Sequence, residues 1–290
     1  MADEKNDLQK KHAVSKDSTG MVTVNGVRLA YEIHGTGHIP LVMVHGGFES
    51  RRTWDWVVPH LADSFRVLTY DQRGYGESER PGGQSNIRDH VADLAALIEH
   101  LGLSPVWVVG QSSGGTIVLR LAGERADLLR GIIAHEPGGS NLLADDPATA
   151  QMLERIPQLF AQVIERIKSG DHAGAAEQFV EEGLGEGLWA KFPPEFRQDV
   201  IENTPSSLDG LNDPEDDFVD LEWIRGFTRP TLLTFGDQTA PIYPPIITRL
   251  AETMPSAEVQ EFTGAGHPIQ AEQPEDFAEA INAFVRRHTE

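Results

Sequence analysis

Residues 106–109 are four consecutive apolar strand formers, Val106-Trp107-Val108-Val109, and they run without a break into Gly110-Gln111-Ser112-Ser113-Gly114, where an apolar helical pattern begins. A strand that becomes a helix within so few residues leaves no room for an ordinary loop. The G-x-S-x-G spacing at such a junction predicts a sharp, strained turn, with Gly110 and Gly114 small because neighbouring backbone passes too close for a Cβ. The turn lifts Ser112 clear of the sheet and makes it the candidate nucleophile. Centring the frame on Ser113 instead would put Gln111 at a position that needs a small residue. The competing bland reading is a glycine-rich turn with no chemistry.

The rest of the chain supplies the sheet this junction needs. Residues 22–24 and 27–33 are β-rich runs around Asn25-Gly26, a dipeptide suited to a type I′ hairpin turn. Residues 39–44 form a continuous apolar run, as expected for a strand covered on both faces. A helix over 50–61, a strand over 65–70, a helix over 86–101 and the strand at 106–109 follow, then a helix over 113–121 and a strand over 131–134. This alternation implies parallel strands with right-handed crossovers. It stops between 137 and 227, where the sequence turns helical and acidic over 147–168, 171–182 and 194–202. It resumes with strands over 231–235 and 258–262 and helices over 244–254 and 274–288. The expected organisation is an α/β core over 21–136 and 228–290 and a helical lid over 137–227. Residues 1–20 are polar and highly charged and are expected to form a disordered tail.

Composition removes several function classes. Against 24 lysines and arginines stand 45 aspartates and glutamates, a net charge of −21 that repels nucleic-acid phosphates and anionic membrane surfaces. The absence of cysteine excludes disulfides, thiolate metal sites and a cysteine nucleophile. No apolar run approaches a membrane span and residues 1–20 lack a signal-peptide core, so the chain is read as cytoplasmic. A homodimer is compatible with this reading.

A serine hydroxyl is a poor nucleophile until a base takes its proton. Gly266-His267-Pro268 lies between the last strand and the last helix, at the same sheet edge as Ser112 and in the chain order nucleophile, acid, histidine. His267 is therefore the candidate base. An oxyanion formed by attack needs donors already in place, and His45-Gly46-Gly47-Phe48 follows a strand directly. The backbone N–H groups of Gly47 and Ser113 are assigned to it, and His45 is read as structural.

HGG after the third strand, Asp71-Gln72-Arg73-Gly74-Tyr75-Gly76-Glu77-Ser78 after the fourth, GQSSGG at the turn and GAGH before the last helix together resemble the α/β-hydrolase superfamily over almost the whole chain. The resemblance implies a structural turn for Asp71, Arg73 and Gly74. It also exposes a departure: the acid that members commonly carry three residues after the glycine ending strand seven is here Thr239. Two carboxylates compete for that role, Glu136 after strand six and Asp237 just after Gly236, and Glu136 is preferred for its reach. An acid after strand six, with Trp189-Ala190 in the lid, is similar to bacterial esterases and lactonases and to fungal mycotoxin-lactone hydrolases. The resemblance implies hydrolysis of a neutral or apolar ester or lactone with no metal or organic cofactor, and Phe48, Trp189 and Phe192 are candidates for the pocket. Carbon–carbon bond hydrolysis or cofactor-free perhydrolysis could use the same groups, and a small-molecule receptor with little turnover could keep the same fold. Dehalogenase and epoxide hydrolase chemistry is disfavoured, because such relatives use a carboxylate where this chain has Ser112.

The frame is testable directly. Ser112→Ala is expected to lower kcat by ~10⁴ or more with the fold intact, while Ser113→Ala, which keeps its backbone N–H, retains most activity. The opposite ranking in steady-state kinetics would move the nucleophile to Ser113.

Overall fold

The structure, a computed structural model, describes residues 16–289. Strands β1 (Lys16–Val24) and β2 (Val27–His34) form an antiparallel hairpin closed by Asn25 and Gly26. Both turn residues are left-handed, with φ of 49° and 78°, as a type I′ turn demands. The first strand starts earlier than its apolar residues suggest, since Ser18, Thr19 and Gly20 pair with Ile33, Glu32 and Tyr31. The tail expected over 1–20 is corrected for 16–20, because an edge strand is held by backbone pairing and does not require apolar side chains. Residues 1–15 lie outside the described residues.

Strands β3 (Ile39–Val44), β4 (Phe65–Tyr70), β5 (Val106–Gln111), β6 (Leu129–His135), β7 (Thr231–Gly236) and β8 (Ala257–Phe262) complete an eight-stranded sheet in the order β1-β2-β4-β3-β5-β6-β7-β8. The β1–β2 and β2–β4 pairs are antiparallel and the other neighbours are parallel. Strand β4 lies on one side of β3 and β5 on the other, so the chain leaves these adjacent strand ends in opposite directions. That reversal opens the crevice at which sheets of this kind take ligands.

Strand alternation divides the core in two. In β5, Val106 and Val108 face one apolar layer while Trp107 and Val109 face the other. Helix α1 (Val58–Leu61) packs in the layer with Trp107, whereas α2 (Ile87–His100) and α3 (Ser113–Glu124) pack in the layer with Val106. Each fully buried Val, Leu or Phe in these layers contributes ~1.5–3 kcal/mol. Helix α2 starts at a capping box, with the Asn86 side chain accepting from the Arg88 and Asp89 N–H groups and Asp89 answering to the Asn86 N–H.

The helix expected over 50–61 is broken into a single 3-10 turn, Arg51–Trp54, and the short α1. Pro59 has no N–H to give the Asp55 carbonyl four residues back. The Arg51 backbone N–H, in the first turn where a helix offers it no acceptor, donates to Asp71 across 2.7 Å, and its guanidinium pairs with Asp71 as well. Arg73 forks onto Asp93 with two 2.7 Å bonds. Asp71 and Arg73 thus pin the turn after β4, the structural part expected of them.

Between β6 and β7 the chain forms α4 (Ala150–Ser169), α5 (His172–Gln178), a π turn at Phe179–Leu184, α6 (Leu188–Lys191), α7 (Pro194–Leu211) and α8 (Leu221–Arg225). Helix α7 runs well past residue 202 although Pro205 lies inside it. The side chains of Asn203 and Thr204 fold back onto the preceding turn and donate to the Asp199 and Val200 carbonyls. Helices α4 to α7 share a third apolar cluster with Phe48 and Trp56, whereas α8 packs through Ile224 in the layer of Val106. Helix α7 also fastens them to the loops after β3 and β4: Ser50 N–H and Oγ donate to Asp199, Gly76 N–H to Asn203, and Phe48 N–H to Ser207 Oγ. The chain closes with α9 (Tyr243–Thr253), α10 (Ile269–Glu272) and α11 (Pro274–Arg287). Among the described residues no helix is long and apolar enough to cross a membrane.

The junction between β5 and α3 leaves no room for a Cβ at either of its glycines. A Cβ on Gly110 would lie 2.3 Å from the Gly114 carbonyl oxygen, and one on Gly114 would lie 2.4 Å from the Val44 and His45 carbonyl oxygens. Gly114→Ala is therefore expected to cost ~1–3 kcal/mol or more, because backbone must move. Gly82→Ala, where a Cβ meets nothing within 4 Å, should stay within about 0.5 kcal/mol. The urea unfolding midpoints of the two variants check this.

Candidate active site

Ser112 connects β5 to α3 with φ 54° and ψ −127°, a conformation that costs a non-glycine residue ~1–3 kcal/mol. The surrounding elements hold it there: its N–H donates to the His135 carbonyl at the end of β6, and its carbonyl accepts from Thr116 one turn into α3. The side chain stays half-buried at the crevice between the β3 and β5 ends.

His267 sits on the loop between β8 and α10 and is almost fully buried. Its Nδ1–H donates to Glu136 Oε2 across 2.6 Å. Glu136 is completely buried, and two further donors meet it: Gly236 N–H reaches Oε1 at 2.8 Å and the Thr239 hydroxyl reaches Oε2 at 2.6 Å. Burial alone would raise this carboxyl. The neighbouring His135 and the hydrogen bonds from His267 and Gly236 outweigh burial and hold it below the ordinary carboxylate range. An ionised Glu136 fixes the proton of His267 on Nδ1 and leaves Nε2 as the acceptor. Burial also keeps His135 neutral, with its pKa lowered to about 4, despite the opposing pull of Glu136.

Asp237 takes a different part. It is exposed, and its Oδ1 accepts from Gly264 N–H at 2.7 Å and from Gln238 Nε2 at 3.2 Å, which ties the turns after β7 and β8 together. Thr239 stands where the resembling proteins commonly carry their acid, and here it serves as a donor to the carboxylate arriving from β6.

The loop after β3 lies against the turn that carries Ser112. A Cβ on Gly46 would be 3.2 Å from Ser112 Cβ, and one on Gly47 would be 3.6 Å from Ser113 Oγ. The N–H of Ser113, at the first position of α3, belongs to the first turn of donors that have no partner within a helix. His45 is buried and holds this loop: its Nδ1–H donates to the Gly46 carbonyl, its Nε2 accepts from the Gln72 N–H, and burial lowers its pKa. Phe48 and Phe192 are buried in the third apolar cluster, Phe48 stacked on Phe179 at 4.2 Å, while Trp189 is half-buried beside Phe192. The three aromatics therefore come together, with the rings of Phe48 and Phe192 largely occupied by packing.

Two residues escaped the sequence reading. The side-chain Nε2 of Gln111 lies 2.9 Å from His267 Nε2 and donates to it. Tyr243, the first residue of α9, stacks on the His267 imidazole at 4.7 Å and 20°. The position of Gln111 directly before the serine was a usable signal. Tyr243 carried none, because its approach depends on the course of the chain after β7.

The family described as alpha/beta hydrolase fold matches residues 39–274, and the chain belongs to it. An esterase from Thermogutta terrifontis superposes with a TM-score of 0.78 at 26% identity, covering 94% of this chain and 100% of that one. The 2-hydroxymuconate semialdehyde hydrolase of Pseudomonas sp. (strain CF600) is 28% identical over 277 residues, 90% of this chain and 91% of the relative. A soluble epoxide hydrolase from Corynebacterium sp. (strain C12) is 38% identical over 106 residues, 37% of each chain.

The hydrogen-bonding pattern separates the two acids. Glu136→Gln puts an amide where two donors converge and is expected to lower kcat by up to ~10⁴. Asp237→Asn keeps an oxygen for Gly264 N–H and should cost less than ~10-fold. Steady-state kinetics of both variants, with unfolding midpoints to confirm the fold, decide the ranking.

Proposed function

We propose that the protein is a serine hydrolase that cleaves a carboxylic ester or lactone through an acyl-enzyme. Ser112 attacks the carbonyl carbon and passes its proton to His267 Nε2, Glu136 holds the histidine tautomer and stabilises the imidazolium, and the N–H groups of Gly47 and Ser113 receive the oxyanion. The helices between β6 and β7 serve as the lid that shapes the acyl pocket, with Trp189 on its wall. The observation that carries the reading is the 2.6 Å bond from His267 Nδ1 to the buried Glu136, which leaves Nε2 free of its proton on the side of the strained serine turn.

The Gln111 amide holds the Nε2 lone pair in the free protein, so substrate binding must displace it before the serine proton can move. The esterase similarity supports acyl transfer to an oxygen nucleophile. The semialdehyde hydrolase similarity favours a second reading, hydrolysis of a carbon–carbon bond beside a carbonyl, with the same serine and base. The epoxide hydrolase similarity carries less weight, because Ser112 stands at the nucleophile position.

A panel of short and long linear esters, small and macrocyclic lactones, a vinylogous diketone and a styrene-type epoxide tests this. Turnover of esters or lactones that disappears in Ser112→Ala supports the proposal. Turnover confined to the diketone would favour the second reading, and turnover of the epoxide that survives Ser112→Ala would overturn both.

A further inference from the structure

Glu49, two residues beyond Gly47, and Gln270, three residues beyond His267, meet side chain to side chain. Gln270 Nε2 donates to Glu49 Oε1 across 3.2 Å and to Thr53 Oγ1 across 3.0 Å, and all three residues are buried. The contact joins the loop after β3 to α10, stretches of chain 221 residues apart. Two atoms are left over: Glu49 Oε2 and Gln270 Oε1 are buried and have no hydrogen-bond partner among the described residues. Glu136 shows what a buried carboxylate needs, three donors on its two oxygens, whereas Glu49 meets one. The neutral acid is the form that suits such a place. Burial, and after it the charge of Asp199 on α7, pushes the Glu49 carboxyl up to about 8. The other elements packed against it bring the neutral Gln270 and Thr53, the Arg51 guanidinium is engaged by Asp71, Glu32 and Glu77, and Arg52 answers the charge of Asp199.

Resting on the hydrolase reading, we propose that Glu49 is a positioning residue that, as a neutral acid paired with the Gln270 amide, locks the loop carrying Gly46 and Gly47 to the turn carrying His267. The two atoms left over are complementary when Glu49 holds its proton, since Oε2–H donates and Gln270 Oε1 accepts. The terminal torsions of both side chains are broad, so the two planar groups can face each other with two parallel bonds. Loss of the proton turns the second bond into a repulsion between a carboxylate oxygen and a carbonyl oxygen, and the lock opens. The oxyanion donor at Gly47 and the base at His267 must stand at a fixed separation in the transition state, so a loosened pair loses rate before it loses affinity.

Glu49→Gln keeps the pattern and cannot ionise: the new amide accepts from Gln270 Nε2 through its oxygen and donates to Gln270 Oε1 through its nitrogen. With nitrophenyl acetate as the probe, wild-type kcat should fall on the order of 10-fold as pH rises from about 7 to about 9.5, with KM steady within ~3-fold. Glu49→Gln should match the wild type within ~2-fold at about pH 7 and hold that rate to about 9.5. Gln270→Met, which removes the amide, should already be on the order of 10-fold slower at about pH 7 and fall less on the alkaline side. A second readout needs no turnover. A carboxyl raised in the folded protein holds its proton there and not in the unfolded chain, so the stability it lends is present below ~4.3 and is lost as pH rises from there to about 8. The urea midpoint of the wild type relative to Glu49→Gln should therefore fall between about pH 5 and about pH 8 and level off above. An alkaline fall in kcat that persists in Glu49→Gln, or a midpoint difference that does not change with pH, overturns the proposal with the hydrolase reading intact. Absence of any Ser112-dependent turnover in the wild type overturns the hydrolase reading, and the positioning role with it.

Discussion

The Glu136 carboxylate has no exposed surface, and a buried anion is tolerated only where donors meet its lone pairs. The donors come from separate stretches of chain: Gly236 N–H at the end of β7, the Thr239 hydroxyl just beyond it, and His267 on the loop after β8. One charge therefore fixes the relative positions of the loops that follow β6, β7 and β8. Removing a partner from such an arrangement leaves charge unmatched in the interior, which generally costs ~3–5 kcal/mol. The orientation of His267, and with it the geometry at Ser112, follows from this constraint.

Backbone strain gathers around the same anion. Among the described residues the non-glycine positions with left-handed φ are Asn25, Phe48, Ser112 and Glu136. Asn25 belongs to the hairpin, where the turn type requires it. The other three lie just beyond the ends of β3, β5 and β6, neighbouring strands of the sheet. Each is held by a bond from elsewhere: Phe48 N–H to Ser207, Ser112 N–H to His135, Glu136 N–H to Thr234. Strain that persists because its surroundings over-determine it is characteristic of sites where chemistry is done.

Particular residues show where sequence reasoning reached and where it stopped. The strand at Ile39–Val44 was legible to the residue because a strand covered on both faces needs an unbroken apolar run, and Phe65–Tyr70 was legible from its β-forming residues although Arg66 interrupts the run. Residues 16–20 were misjudged because edge pairing uses backbone groups that every residue has. The helix over 50–61 was misjudged because its apolar spacing is helical while Pro59 has no N–H to continue it from Asp55. In α7 the expected helix over 194–202 proved too short, since it continues through Pro205 to Leu211.

The sequence by itself determined the β/α alternation, the strand-to-helix turn that presents Ser112, and the placement of His267 at the same edge, because each depends on local periodicity and on the steric needs of a few adjacent residues. It narrowed the acid to Glu136 or Asp237. Tertiary structure alone decided that the buried carboxylate of Glu136 meets His267 while Asp237 ties two surface turns, that Thr239 donates to the acid, and that Gln111 and Tyr243 flank the imidazole. Hydrogen bonds between strand ends a hundred residues apart depend on distances and directions of ångström scale, and these are fixed only when the sheet has brought its loops together.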